Sequence, residues 1–341
     1  MKQKILILTL LVGVFAATNV MAKYTFSYIG TDITGFGGYD EYVDKYLSSV
    51  NTTLGSFADA FVSANVSQPV FGEPYRNLAL GGALSFAIAG LPEDGDPGSV
   101  TLEDTAIGIS AGAFATLSLD PLDGIFGLGL FANSDFTVKF MKTPKIEGDK
   151  TDAEFWNLGL ILRKRLVSKA RIIPLVLSFE GIGISLGYFM QKNKINQVLD
   201  IGATEIVDIT GGTATLTADT GILDLEIETK TLDAEMKFYF NILGFLDLFF
   251  GAGMSYNLQT DVSALMSVDS DVSFNTGGPI ESASGGTLLI SGTGTGKKWL
   301  PRAVAGVQLN ILMIKIPAQV AITKNEDKYG VAVTTGVTLS F

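Results

Sequence analysis

The chain has 341 residues, with 24 Lys and Arg against 35 Asp and Glu, no His and no Cys, for a net charge of −11. That balance argues against a nucleic-acid face, which needs clustered cations for the phosphates, and the lack of Cys removes any disulfide framework. Without His or Cys, Ser–His and Asp–His sites, thiol nucleophiles and His/Cys zinc centres cannot be built, so no enzyme activity, metal or cofactor is expected.

Residues 1–22, MKQKILILTLLVGVFAATNVMA, pair Lys2 and Lys4 with an apolar run and end on a small-x-small site at Val20-Met21-Ala22. This is the pattern of a secretory signal peptide, so the mature chain is expected to begin at Lys23. Beyond it, no apolar run reaches the roughly 20 residues of a membrane-spanning helix. Yet 47% of residues are hydrophobic and the mean hydropathy is +0.35. Export, high hydropathy, 39 Gly and no helical span together point to a barrel that crosses a bilayer with strands.

Residues 23–75 are expected to form a periplasmic segment. Within it, Tyr42, Tyr46, Leu47, Val50, Leu54, Phe57 and Phe61 recur at helical spacing and predict an amphipathic helix over 39–64. It would plug the barrel or cap its periplasmic rim.

From residue 76 the period is two. In 78–88, Leu78, Leu80, Leu84, Phe86 and Ile88 face one way; Ala79, Gly81, Ala83, Ser85 and Ala87 face the other. Ten strands follow from this alternation: 76–90, 105–119, 124–141, 153–166, 172–191, 222–240, 245–261, 299–310, 313–324 and 329–341. Residues 196–221 alternate as well, which leaves a twelve-strand count open. The fifth strand changes phase at Glu180-Gly181, as one bulged residue would cause. Links alternate between short (120–123, 167–171, 241–244, 311–312) and long (91–104, 142–152, 192–221, 262–298), as in outer-membrane barrels. An even strand count places both termini in the periplasm and the long loops outside.

Charges on the second face cannot meet lipid, where one at mid-depth costs about 2–4 kcal/mol. Arg163, Arg165, Glu180, Asp233, Glu235, Lys237 and Asp247 are therefore expected in the lumen. They either set ion selectivity or pair off to fill a narrow bore. The small inner residues of the first and last strands leave room for the helix. "GTGTGKKW" (292–299) lacks the spacing of a phosphate loop. Lys297, Lys298 and Trp299 instead fit the outer interface, with lipopolysaccharide phosphates as candidate partners of the lysines. The loop carboxylates Glu93, Asp94, Asp96, Asp269 and Asp271 lack EF-hand spacing and read as solvated.

The chain ends TTGVTLSF. Thr334, Gly336, Leu339 and Phe341 resemble the C-terminal β-signal of bacterial outer-membrane barrels. That resemblance implies a cell outer-membrane location in a Gram-negative-type envelope and recognition by the barrel-assembly machinery. A helix ahead of a mid-sized barrel is also similar to fatty-acid-transporter-like barrels, which have more strands and a hatch domain, and to spirochaetal surface-adhesin barrels. Two functions follow as expectations: a structural, adhesin-like role through long surface loops, bringing a host surface ligand as partner, or a plugged, porin-like channel or transporter for small solutes or hydrophobic molecules. Changing Phe341 to Asp should impair assembly far more than changing Ser340, read as the heat-modifiable gel shift of the membrane fraction.

Overall fold

In a computed structural model, the described residues are 24–28, 31–32, 54–66, 78–92 and, with short gaps, 106–341. Ten strands close into one ring: β1 (Leu78–Pro92), β2 (Ala106–Ser118), β3 (Ser134–Lys142), β4 (Thr151–Val167), β5 (Leu177–Ile209), β6 (Gly212–Ile242), β7 (Leu246–Asn275), β8 (Trp299–Ile311), β9 (Ile314–Asn325) and β10 (Lys328–Ser340). Each pairs antiparallel with its sequence neighbours, and β10 returns to β1 with Leu339 opposite Leu80 and Val333 opposite Phe86. The Phe341 amide donates to the Leu78 carbonyl at 2.8 Å, which completes the seam. Inside it, the Ser85 and Thr334 hydroxyls meet at 2.8 Å.

The pleat sorts the residues. Leu80, Phe86, Phe140, Leu186, Met236, Phe250, Val320 and Val333 stand exposed on the outer wall. Ser85, Thr116, Thr137, Asn157, Gln191, Gln308, Gln319 and Thr334 are buried on the inner wall. Only a solvent of hydrocarbon makes the first set stable outside and the second inside. On β6 the outward apolar face runs from Leu232 to Ile242. Ten residue steps of about 3.4 Å, tilted by about 40°, rise about 26 Å, close to the apolar band of such barrels.

The bulge lies where the alternation breaks. Tyr239 pairs with Gly181 and Phe240 with Phe179, which leaves Glu180 unpaired, and Gly181 has φ +123°. A Cβ there would collide with the Val167 carbonyl oxygen.

The ring has the ten strands expected, and the twelve-strand alternative falls away because 196–221 lengthens β5 and β6 and adds nothing to the ring. Four expectations differ from the structure. β5 and β6 pair from Ile242↔Leu177 to Gly212↔Ile209, so 192–221 is a tall hairpin rather than a loop. Likewise 262–298 continues β7 and turns back as a strand, Glu281–Thr295, paired on its outer half. Part of the predicted third strand is instead a short helix, Asp120–Phe126, held to β3 by its own carboxylates: the Asn133 amide donates to Asp120 Oδ1 at 2.6 Å and the Phe131 amide to Asp123 Oδ1 at 3.1 Å.

The fourth concerns the segment ahead of β1. The described helix, α1, covers 54–66: it overlaps the expected 39–64 from residue 54 on and runs two residues further, while 39–53 lie outside the described residues. Tyr42, Tyr46, Leu47 and Val50 lie outside the described residues, as do residues 1–22 and Glu93, Asp94 and Asp96. Residues Tyr24–Tyr28 pair with Glu281–Thr295 at the long-strand end of the barrel, whereas Phe341 sits at the short-turn end. Tyr24–Tyr28 thus lie at the other end of the barrel from the start of β1.

Gly181→Val should lower the unfolding midpoint in urea by about 1–3 kcal/mol of stability, the cost of a side chain at that φ. Gly124→Ala, where a Cβ meets nothing within 4 Å, should leave the midpoint unchanged.

Candidate functional site

The sequence of α1 is LGSFADAFVSANV, rich in Ala and Ser. At its Gly, Ala and Ser positions the backbone can come close to a wall, while Leu54, Phe57, Phe61, Val62 and Val66 fill space elsewhere. Leu54, Phe57 and every residue from Ala58 to Val66 are buried, including Asp59, Ser63 and Asn65. A helix buried all round lies inside something, and its neighbours come from opposite sides of the ring. Val62 and Val66 cluster with Ala79 of β1, Ile161 of β4, Phe189 of β5 and Leu300 of β8. Ala64 clusters with Ala87, Val304, Ala321 and Ala332. Elsewhere along α1 the wall is glycine at the points of closest approach. A Cβ on Gly108 would overlap the Ala60 backbone, and one on Gly294 would lie 2.5 Å from the Gly55 nitrogen. Leu54, Phe57 and Phe61, predicted on the helix, are all on α1 and inside the barrel.

Two polar contacts fix the helix along the bore. Near the long-strand end, Asp59 Oδ1 accepts the Lys297 amide at 2.7 Å. Deeper, the Lys139 ammonium donates to the Asn65 carbonyl at 3.1 Å, to Asn65 Oδ1 at 3.3 Å and to Ser110 Oγ at 3.1 Å. Lys139 thereby covers the last turn of α1, where unpaired carbonyls carry the negative end of the helix dipole.

Toward the short turns the bore is filled by charge. Arg302 on β8 forks onto two carboxylates of β6: Nη2 lies 2.7 Å from Asp233 Oδ2 and 2.8 Å from Glu235 Oε2, and Nη1 bonds Asp233 Oδ1 and, at 2.9 Å, Ser255 Oγ. Glu235 Oε1 also pairs with Lys237, which donates to Gln319 Oε1 at 3.0 Å and lies 5.3 Å from the Phe249 ring centre. Two anions and two cations balance within one buried cluster. Separately, Arg163 grips Asp135 through Nη2 at 2.6 Å and Nε at 3.2 Å. Asp247 accepts from Asn241, Gln308 and Asn310. A buried ion needs such partners, because desolvation alone costs several kcal/mol.

The predicted lumen charges divide accordingly. Asp233, Glu235 and Lys237 come together; Asp247 sits nearer the turns among amides. Arg163 is buried with Asp135, while Glu180 accepts from Ser178 at 2.5 Å and Arg165 is half-buried beside the bulge. Sequence reasoning missed Asp135, Lys139 and Arg302 as partners. The signal was available, since each stands on the inward phase of its strand.

At the long-strand boundary of the belt, Lys298 and Trp299 point outward. The Lys298 ammonium lies 5.3 Å from the Tyr256 ring centre, and the Tyr256 and Trp299 rings are 4.4 Å apart. Lys297 is exposed, its backbone tied to Asp59 and Asn257. A cleft of about 330 Å³ opens on the outer wall at this height, between Lys142, Trp156, Lys192 and Lys230. Above it the outer wall is a ladder of ions in water: Lys192–Glu226 at 2.9 Å and Lys230–Glu228 at 3.0 Å. The hydrogen bond from Lys192 holds the Glu226 carboxyl below its ordinary range, and Glu226 raises Lys192 in return. Exposed pairs of this kind add little stability. Facing inward at the same level are Ile195, Leu223, Leu225, Ile227 and Val262, all buried.

Arg302→Met should cost about 3–5 kcal/mol in a urea unfolding experiment, because it strands two buried carboxylates. Arg302→Lys should recover only part, since one ammonium cannot reproduce the fork.

A comparison with curated proteins finds no significant match. Solved structures with a similar chain path include the translocator domain of the autotransporter NalP from Neisseria meningitidis, at 12% identity over 89% of this chain and 96% of that one, TM-score 0.28. Others are the attachment invasion locus protein Ail of Yersinia pestis, at 12% identity over 78% and 99%, TM-score 0.24, and the Ralstonia pickettii toluene transporter TbuX, at 10% identity over 86% and 98%, TM-score 0.24. Likeness at this level does not discriminate among barrels. The match to a family is of another kind: residues 28–341 fit the Lsa36-like family, which covers the whole ring, α1 and most of the segment ahead of it. The chain belongs to the Lsa36-like family.

Proposed function

We propose that this chain is an outer-membrane barrel with a closed bore, whose tall strands carry a surface-interaction role outside the cell. The observation that carries the reading is α1: a helix buried on every side, inside a ring whose remaining volume holds paired charges. A ten-strand bore has little room to spare. The material that could meet a partner is instead the continuation of β5, β6 and β7 beyond the belt.

On this reading the long-strand end is extracellular and the seam end, with Phe341, is periplasmic. The belt meets lipid, Phe341 meets the assembly machinery, and Lys297 and Lys298 meet lipopolysaccharide phosphates. The protein is a non-enzyme. A channel for solutes would require α1 to leave, which strips the Lys139 ammonium of both Asn65 acceptors.

Two measurements test the proposal. In planar bilayers the intact protein should give no steady single-channel current; a stable conductance from it would overturn the closed bore. Replacing 199–219 and 268–291 by short turns should leave the heat-modifiable barrel intact and reduce adherence of expressing cells to host-cell layers. Unchanged adherence would remove the surface role.

A further inference from the structure

The path of the chain ahead of β1 has a direction. Residues Tyr24–Tyr28 pair antiparallel with Glu281–Thr295, Tyr24 opposite Ile290 and Ser27 opposite Thr287. That strand pairs in turn with the outer half of β7, from Asp261↔Thr295 to Phe274↔Glu281. The belt on this side ends at Tyr256 and Trp299, which pair with each other. Residues 24–28 therefore lie beyond the belt, at the long-strand end. The backbone of Thr31–Asp32 lies beside them.

The described helix begins at the same end. Gly55 lies against the Gly294–Thr295 backbone, and Asp59 against Gly296 and Lys297. Six residues later Asn65 has reached Ser110 and Lys139. Val66 shares its cluster with Ala79, the second residue of β1. β1 then starts at the opposite end, where Leu78 is bonded to Phe341. A helix of 13 residues advances about 20 Å, most of the height of the belt. Tyr24–Tyr28 and Leu78 thus lie beyond opposite ends of the belt, with α1 in the bore between them.

A plug that entered from the seam end would look different. It would leave the chain ahead of the helix on the same side as Leu78 and Phe341. Here Tyr24 and Phe341 are on opposite sides.

We infer that residues 24–28 and 31–32 are displayed on the outside of the cell, with α1 as the stem by which the chain crosses the membrane inside the barrel. This rests on the proposed orientation, with the long strands outward. The stem is held at two levels by buried polar contacts, Asp59 to the Lys297 amide and Asn65 to Lys139. It is surrounded by a wall whose glycines admit its backbone. The displayed segment adds a strand to the sheet formed by β7 and Glu281–Thr295, so it belongs to the same surface as the tall hairpins.

The chain has no Cys, so a single introduced thiol reports one position. Ser27→Cys, Thr31→Cys, Lys194→Cys and Leu312→Cys, each in the full-length protein, are treated on intact cells with a membrane-impermeant maleimide. Heat-modifiable migration verifies that each variant folds, and a denatured sample gives the full-reaction reference. Ser27→Cys or Thr31→Cys should react on intact cells as Lys194→Cys does, and Leu312→Cys only after permeabilisation. If Lys194→Cys reacts on intact cells while both Ser27→Cys and Thr31→Cys react only after permeabilisation, the threading is overturned and the orientation stands. If Leu312→Cys reacts on intact cells and Lys194→Cys does not, the orientation itself fails, and display of the segment fails with it.

Discussion

A chain that crosses hydrocarbon must satisfy every backbone N–H and C=O from within, because lipid offers no partner. The closed ladder from β1 round to β10 is the answer here, and the rest of the structure depends on it. Once the ring closes, each strand has one face in lipid and one in the bore, and every side chain takes one environment or the other. The seam shows how narrow the tolerance is. Val333 and Leu339 face lipid while Thr334 and Thr338, their immediate neighbours in the chain, are almost fully buried. A slip of one residue between β10 and β1 would exchange them.

Closure also creates a problem that the inner wall must solve. A ring of ten strands encloses more space than a polar lining alone fills. Ala79, Ala87, Ala321 and Ala332 keep parts of the wall thin beside α1, while Ile161, Phe189 and Leu300 pack against Val62 and Val66. Elsewhere, small residues on the helix face small residues on the wall, so backbones approach closely and dispersion replaces side-chain bulk. Where the helix ends, long charged side chains take over from opposite strands. The two fillings meet at Lys139, whose stem belongs to the wall and whose ammonium closes the helix.

Much of this was legible in the sequence, for physical reasons. The ring strands show period two because lipid and bore differ sharply in polarity. The bulge at Glu180 was readable because one extra residue inverts that phase. Legibility failed where the contrast changes meaning. Beyond the belt β6 keeps its alternation, but the apolar residues Leu223, Leu225 and Ile227 turn inward and Glu226, Glu228 and Lys230 face water. The expected strand 222–240 already includes this stretch, whereas 192–221 reads as a long link although 196–221 alternates as well. The helix was legible by its spacing, and the plug reading by the small inner residues of the first and last strands, Ala79, Ala87 and Ala332 among them. The apolar stripe alone says only that a helix is buried against something; the Ala and Ser content of 58–64 adds that it can be buried all round. Asp135, Lys139 and Arg302 were missed as partners because pairing across strands depends on register, which alternation alone does not specify.

The reversal on β6 has a mechanical consequence. Between Lys230 and Leu232 the outer wall changes from charged to apolar within about one turn of the pleat. Pushing the barrel down by two residues would carry Lys230 into acyl chains. Raising it by the same amount would lift Leu232 and its neighbours into water. Both displacements, about 5 Å each once strand tilt is counted, are opposed by steep transfer costs. The protein is thus held at one depth by its own wall, like a float with a waterline. A bilayer of another thickness would have to stretch or thin around it.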